Sequence, residues 1–168
     1  MGASTKSMQR LPRWILIWFA LSLPLIIWDV AFVLLRPSSM PGGSLAFLWA
    51  PYAKYVTVDL SYGDVHNGFV WAQALMSCVE VLMVFAALAF MLRGKLPLAT
   101  LLVFAVSVLT CAKTILIFLI EAVTRGEHVG HNTVSDLVLL YLLPNGVWIV
   151  MPALVAWATG RMLLAPSR

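Results

Sequence analysis

Four long apolar stretches are the feature that most constrains how this chain can fold. Apolar residues make up 62% of the 168 residues and charged residues only 11%, whereas soluble domains have roughly 45–50% and about 25%. So few polar residues cannot cover the surface of a single soluble core. The apolar content equally excludes a disordered chain. The sequence therefore predicts an integral membrane protein.

Each apolar stretch is long enough for a membrane-spanning helix, which needs about 20 residues. We expect an all-α membrane fold, in which a bundle of four transmembrane helices encloses an intramembrane ligand cavity. A single membrane domain would cover residues 14–160, with cytoplasmic tails at residues 1–13 and 161–168. The predicted spans are residues 14–35, 69–92, 97–122 and 134–159.

The distribution of Lys and Arg predicts the orientation, because these residues accumulate on the cytoplasmic side of membrane proteins. Seven of them share a side with the two termini, and three lie on the far side. Both termini of this multi-pass protein are therefore expected in the cytoplasm. The basic residues form no clustered stripe, so we expect no nucleic-acid partner. The seven are Lys6, Arg10, Arg13, Arg93, Lys95, Arg161 and Arg168, and the three are Arg36, Lys54 and Arg125.

The far-side loop between the first two spans is long and carries an amphipathic stretch at residues 45–54. Trp49, Tyr52 and Tyr55 belong to residue types that prefer the membrane interface. We expect this stretch to lie on the far leaflet. A disordered loop is the alternative.

Four polar residues stand inside the predicted spans, where they are costly and usually mark function. They are Asp29, Glu80, Lys113 and Asn145. At about 1.5 Å per residue, all four can meet in one cavity in the far half of the bilayer. Glu121 follows Lys113 by eight residues, and this spacing suggests that both face the same way.

Each of these residues also has a structural interpretation. Lys113 could simply neutralise Asp29 or Glu80 as a buried pair, and Glu121 could be a carboxylate in interfacial water. Glu80 is the hardest to explain structurally, because an unpaired carboxyl at this depth is expected to keep its proton and could act as a general acid.

The fourth span contains Pro144 and Gly146, which are expected to loosen the helix around Asn145. Trp148 lies three residues beyond Asn145 on the same helix face. It is too deep to be an interface anchor, so its π face could stabilise a cation. Alternatively, Trp148 only packs within the bundle.

Metal and nucleotide chemistry have no visible apparatus. His128 and His131 stand near Glu127, but their spacing fits no standard metal site, and solvated loop residues explain them. Phosphate-binding loops and nucleophile elbows are missing from the sequence. We expect no cofactor.

Four motifs resemble the emopamil-binding protein family, which has the EXPERA domain and includes the sterol Δ8–Δ7 isomerase and the sigma-2 receptor. The resemblance covers about residues 24–163, and the last motif is the most specific. The motifs are Trp49-Ala-Pro-Tyr-Ala-Lys54, Cys78-Val-Glu80, Ser107-Val108 with Phe118-Leu-Ile-Glu121, and Asn145-Gly-Val-Trp148-Ile-Val-Met-Pro152.

This resemblance implies a four-helix bundle in the endoplasmic reticulum, with a cavity that opens to the bilayer. It also implies proton-handling roles for Asp29 and Glu80, a polar partner in Asn145 and a cation-stabilising ring in Trp148. Leu25 stands where the isomerase pattern has His, and the surrounding stretch is more similar to the sigma-2 receptor branch.

Two functions follow as hypotheses. The first is an intramembrane isomerase of sterol, terpenoid or similar lipid metabolism. The Asp29/Glu80 pair would protonate an alkene to a carbocation, and a carboxylate would then remove a neighbouring proton, giving a shifted double bond or a cyclised product. The alternative is a non-catalytic binder of sterols or cationic amphiphiles, similar to the sigma-2 receptor.

The two hypotheses share one predicted site and the same partners. The predicted partners are the lipid bilayer and a lipophilic small molecule, and a homodimer stays open. The expected catalytic residues are Asp29, Glu80, Asn145 and Trp148, and the expected substrate-binding residues are Lys113, Glu121, Tyr52 and Trp28.

Overall fold

A computed structural model describes residues 10–164 of the chain, and within that range the fold is all-helical, without strands. Four helices are long and apolar enough to cross a membrane, as the sequence predicted. They are α1 (Arg13–Leu34), α4 (Gly68–Leu92), α5 (Leu96–Val123) and α6 (Val134–Leu164), with two short helices, α2 (Tyr52–Val58) and α3 (Leu60–Gly63), between α1 and α4.

The helix ends follow from local sequence signals. The side chain of Asn67 caps α4 by accepting a hydrogen bond from the Val70 N–H at 3.1 Å. Gly94 has a positive φ of 71° in the short link to α5, a conformation that suits glycine. Helix α6 continues to Leu164, five residues beyond the predicted end of its span. Of the predicted tails, residues 1–9 and 165–168 lie outside the described range.

Helix α5 packs between α4 and α6 and is the centre of the bundle. Its buried face consists of small and β-branched residues, which let helices approach closely. The hydroxyls of Ser107, Thr110 and Thr114 on this face donate to carbonyls one turn earlier, at 2.7–2.9 Å, so they are satisfied in an apolar environment. The buried residues are Ala99, Thr100, Val103, Val106, Ser107, Thr110 and Thr114.

The far-side loop is ordered and folds over one end of the bundle. We call residues 46–63 the cap; they comprise a 3-10 turn (Ala46–Trp49), α2 and α3. Trp49 is buried, and its indole N–H donates to the Trp28 carbonyl of α1 at 2.9 Å. On the opposite side, the Leu60 N–H donates to the His128 carbonyl at 3.1 Å, and the Asn132 amide donates to the Val58 carbonyl at 2.7 Å.

Three aromatic residues of the cap, which belong to types that prefer the membrane interface, face the interior of the protein. Trp49, Tyr52 and Tyr55 turn inward and pack among other aromatic rings, while Phe47 and Leu48 are exposed. One reason is that the Trp49 N–H and the Tyr52 O–H find hydrogen-bond partners on α1.

Helix α6 is irregular just before the place where the sequence suggested a loosened helix, and the residues around Asn145 themselves are regular α-helix. The chain forms a π-helical turn over Leu137–Leu142, directly before Pro144, and then runs as an unbroken α-helix from Leu143 to Leu164. A proline ring crowds the carbonyl four residues earlier, and a widened turn relieves that contact. Irregular turns of this kind often occur at functional sites.

Candidate functional site

A cavity of about 420 Å³ lies beneath the cap, between the four long helices. Its wall is largely apolar and aromatic, with a few ionisable and amide groups, as in typical small-molecule sites. Seven of the eight predicted site residues line it: Trp28, Asp29, Tyr52, Glu80, Lys113, Asn145 and Trp148.

Asp29 on α1 is held by two phenols from the cap. The Tyr52 hydroxyl donates to Oδ1 of Asp29, and the Tyr62 hydroxyl lies 3.3 Å from Oδ1 and 3.2 Å from Oδ2. Burial raises the pKa of both phenols, and the Asp29 carboxyl beside them raises it further. Both tyrosines therefore stay protonated and act as donors. No Lys or Arg of the described residues forms an ion pair with Asp29.

Glu80 and Lys113 form a buried ion pair across α4 and α5. The Lys113 ammonium donates to Oε2 of Glu80 at 2.9 Å and to the Ser77 hydroxyl at 2.5 Å. Glu80 is 1% exposed, and its Oε1 has no hydrogen-bond partner among the described residues. Glu80 is therefore not the unpaired carboxyl that its interpretation as a general acid assumes, and Lys113 neutralises it, as the structural interpretation of Lys113 allowed.

Asn145 and Trp148 bring α6 into the cavity wall. The Asn145 amide donates to the Tyr141 carbonyl at 2.9 Å, across the irregular turn. Trp148 lines the cavity and also packs edge-on against Trp18, with ring centroids 5.5 Å apart. The Trp148 ring therefore packs within the bundle and also forms part of the cavity surface.

Glu121, which was predicted to bind the substrate, does not line this cavity. Its carboxylate pairs with Nδ1 of His128 at 2.7 Å, and both residues line a separate small pocket with Asp59 and Tyr141. Eight residues on an α-helix overshoot two full turns by about 80°. That rotation directs Glu121 away from Lys113 and toward the loop after α5.

Several cavity residues were missed by the sequence reasoning. Ser77 and Gln73 precede Glu80 by three and seven residues, a spacing that places all three on one face of α4. The Gln73 amide donates to the Lys113 carbonyl at 3.1 Å. Gln73 and Ser77 could have been predicted from the sequence as the polar residues on the same face of α4 as Glu80. Tyr62 gave no comparable signal, because it stands in a loop whose fold the apolar periodicity does not define.

The described residues contain no cluster of three or more His, Cys, Asp or Glu that could hold a metal ion. The cavity wall itself offers carboxyl, ammonium, phenol, amide and indole groups.

In comparisons with known proteins, no protein-family model, no curated protein and no solved structure matches the chain.

Proposed function

We propose that the chain is a multi-pass membrane protein whose cavity takes up a lipophilic substrate and shifts a double bond in it or cyclises it. The substrate would be a sterol, a terpenoid or a similar lipid. One observation carries the proposal: carboxyls from two helices, Asp29 and Glu80, line the same largely apolar cavity. Carboxyls in unlike environments are a common basis for separate acid and base roles.

The different partners of the two carboxyls suggest which is the acid and which is the base. Asp29 is hydrogen-bonded to phenols and would deliver the proton, after which Tyr52 and Tyr62 stabilise its carboxylate. Glu80 is paired with Lys113 and keeps Oε1 uncommitted, so it would receive a proton.

The proposed reaction is balanced without an oxidant or a reductant. The Asp29 proton adds to one alkene carbon, and the π electrons form the new C–H bond and leave a cation. Glu80 then removes a proton from a neighbouring carbon, and those electrons form the new double bond. The substrate formula is unchanged, and a proton returns from Glu80 to Asp29 before the next turnover.

Asn145 and Trp148 would support the intermediate and the substrate. An indole face attracts a cation by its quadrupole, and Trp148 lies on the same cavity wall as the two carboxyls. Asn145 already uses an N–H to hold the irregular turn of α6. Its amide oxygen would orient a substrate hydroxyl.

We further propose that the chain is a member of the emopamil-binding protein family, located in the endoplasmic reticulum with cytoplasmic termini. The family motifs contribute Tyr52, Glu80, Asn145 and Trp148 to the cavity wall. The seven-to-three distribution of basic residues supports the orientation. Glycosylation acceptors added to either tail should stay unmodified in microsomes, and modification of either tail would overturn the orientation.

A second candidate function is the binding of cationic amphiphiles without turnover. The observation that favours it is the charge balance of the cavity. Lys113 is paired with Glu80 and Lys54 with Asp136 at 3.1 Å, which leaves Asp29 as the lining carboxyl without a cation in the described part of the chain. A ligand ammonium could fill that place.

Turnover in deuterated water separates the two functions. Purified protein would be incubated with a panel of unsaturated sterols and terpenoids, and products would be analysed by mass spectrometry. An isomerase incorporates deuterium at the carbon that receives the proton, next to the shifted double bond. Unchanged substrates that nevertheless compete with a bound long-chain amine would support the binder instead.

A further inference from the structure

The position of the Asp29 carboxyl depends on a short helix that the sequence reasoning did not single out. Tyr62 is in α3, and its hydroxyl lies within 3.3 Å of both carboxyl oxygens of Asp29. Tyr52 contacts only one of those oxygens. Tyr62 is therefore the residue whose hydroxyl constrains both oxygens of the carboxyl group, whereas the Tyr52 hydroxyl constrains one.

Arg36 fixes the backbone that carries Tyr62. Its Nη1 donates to the Tyr62 carbonyl at 3.1 Å and to the Asp64 carbonyl at 3.0 Å, and its Nε donates to the Val33 carbonyl at 3.3 Å. The guanidinium also lies over the Trp71 ring, 5.4 Å from the centroid. Arg36 is 8% exposed, so these contacts are shielded from water.

The two sets of contacts form one continuous connection. Arg36 follows the end of α1, and Asp29 lies on α1 itself, so the guanidinium joins the carboxyl end of α1 to the end of α3. Tyr62 then reaches back from α3 to Asp29, and its ring stacks on Phe32 of α1 at a centroid distance of 6.3 Å. α3 has only four residues, too few to hold such a geometry by its own hydrogen bonds.

We propose that Tyr62 is a positioning residue that aims the Asp29 carboxyl into the cavity, and that Arg36 acts on Asp29 through Tyr62. The inference deepens the proposed function, because it states how the acid of the reaction, or the counter-ion of a bound amine, is held. It concerns the ligand-free protein and can be tested without a substrate.

Tyr55 provides a matched control for Tyr62. It lines the same cavity, and its ring packs edge-on against Tyr62 at 5.1 Å, but the structure gives it no hydrogen bond to Asp29. Replacing either residue by Phe removes one hydroxyl from the same aromatic cluster. Of these two changes, only the loss of the Tyr62 hydroxyl should alter the Asp29 carboxyl.

Infrared spectroscopy of protein with isotope-labelled aspartate tests this directly. The Asp29 band is identified by its loss in Asp29→Asn. Tyr62→Phe and Tyr52→Phe are each expected to shift the band, and Tyr55→Phe is expected to leave it in place. A wild-type Asp29 band in folded Tyr62→Phe, with a shifted band in Tyr52→Phe, would overturn the positioning role.

A double-mutant cycle tests the route from Arg36. Arg36→Lys keeps the charge but loses the planar set of donors, so it should shift the Asp29 band in the wild-type background. In the Tyr62→Phe background the same change should add nothing, because interacting residues are non-additive. Additive shifts would show that Arg36 acts independently and would overturn the route. Neither result decides whether turnover occurs, which depends on the deuterium assay.

Discussion

The two ends of the bundle are built from the same four helices but differ in character. At the end near Arg13, which we call the closed end, an apolar cluster fills the space between the helices. At the other end, beneath the cap, the same helices enclose the cavity and carry its ionisable groups. The closed-end cluster consists of Leu11, Ile15, Ala87, Val103 and Val155.

The two ends differ in how their polar side chains find hydrogen-bond partners. At the closed end, the buried hydroxyl of Thr159 bonds a carbonyl of its own helix at 2.7 Å and makes no demand on other helices. In the cavity, Asp29 and Glu80 depend on donors from other elements. Groups that require partners across elements are more expensive to bury, and Asp29 and Glu80 both lie at the cavity end.

Asp29→Asn should have the largest effect on activity. The amide keeps the shape of the side chain but cannot act as an acid, so turnover should fall by about 10²- to 10⁴-fold. Product formation would be compared with thermal unfolding in detergent. Glu127→Gln, which alters an exposed loop carboxylate, is the control and should leave turnover unchanged. Near-normal turnover in folded Asp29→Asn would remove Asp29 from the reaction.

Lys113→Met should have the largest effect on stability. It leaves the Glu80 carboxylate buried without its cation, at a cost of about 3–5 kcal/mol. The double variant Lys113→Met/Glu80→Met should recover most of that loss, because no unpaired charge remains. Lys54→Met is the control: it breaks the more exposed pair with Asp136 and should cost about 0–1 kcal/mol. All four proteins would be compared by denaturant unfolding.

Substitution of Trp148 should have an intermediate effect, and the effect should be larger for a cationic intermediate or ligand than for a neutral ligand. Trp148→Leu removes the π face, at a cost of about 1–2 kcal/mol for a desolvated cation, or roughly a 5–30-fold loss in rate. The rate of Trp148→Phe should lie between that of the wild-type protein and that of Trp148→Leu. Trp157→Phe, on the exposed surface, should change nothing. If the variants lose equal affinity for neutral and cationic ligands and keep the wild-type rate, Trp148 only packs against Trp18.

The smallest effect on stability should come from removing one methylene from a side chain of α1, either in the closed-end cluster or in the cavity wall. Ile15→Val in the closed-end cluster should lower the free energy of unfolding by about 0.5–1.5 kcal/mol. Ile26→Val in the cavity wall should cost less, because the side chain already borders empty space. Denaturant unfolding of both variants measures the difference. Equal costs would contradict the contrast between a packed end and an open end.

The long helices could be predicted because apolar runs of this length have few alternatives. The first three helices begin and end within one residue of the predicted spans. The cap could not be predicted, since its order depends on contacts with α1 and with the loop after α5 rather than on its own periodicity. For the same reason Tyr62 was missed as a partner of Asp29.

The site was predicted best where a polar residue interrupts an apolar helix. Asp29, Glu80, Lys113 and Asn145 all line the cavity. Their partners were harder to infer, because the pairing of Lys113 with Glu80 rather than Asp29 depends on how α4 packs against α5. Glu121 was expected to face the same way as Lys113, but the rotation of about 80° beyond two helical turns directs it toward His128.

Photolabelling in lipid bilayers tests most directly whether a lipophilic ligand enters the cavity end. Two diazirine probes would be used, a sterol and a terpenoid alcohol, each competed with its unlabelled parent compound. We predict that at least one probe gives competable labels on peptides containing Trp28, Tyr52 or Trp148, all of which line the cavity. If both probes label only residues exposed on the outside of the bundle, such as Leu16 and Trp157, without competition, the cavity is not their binding site.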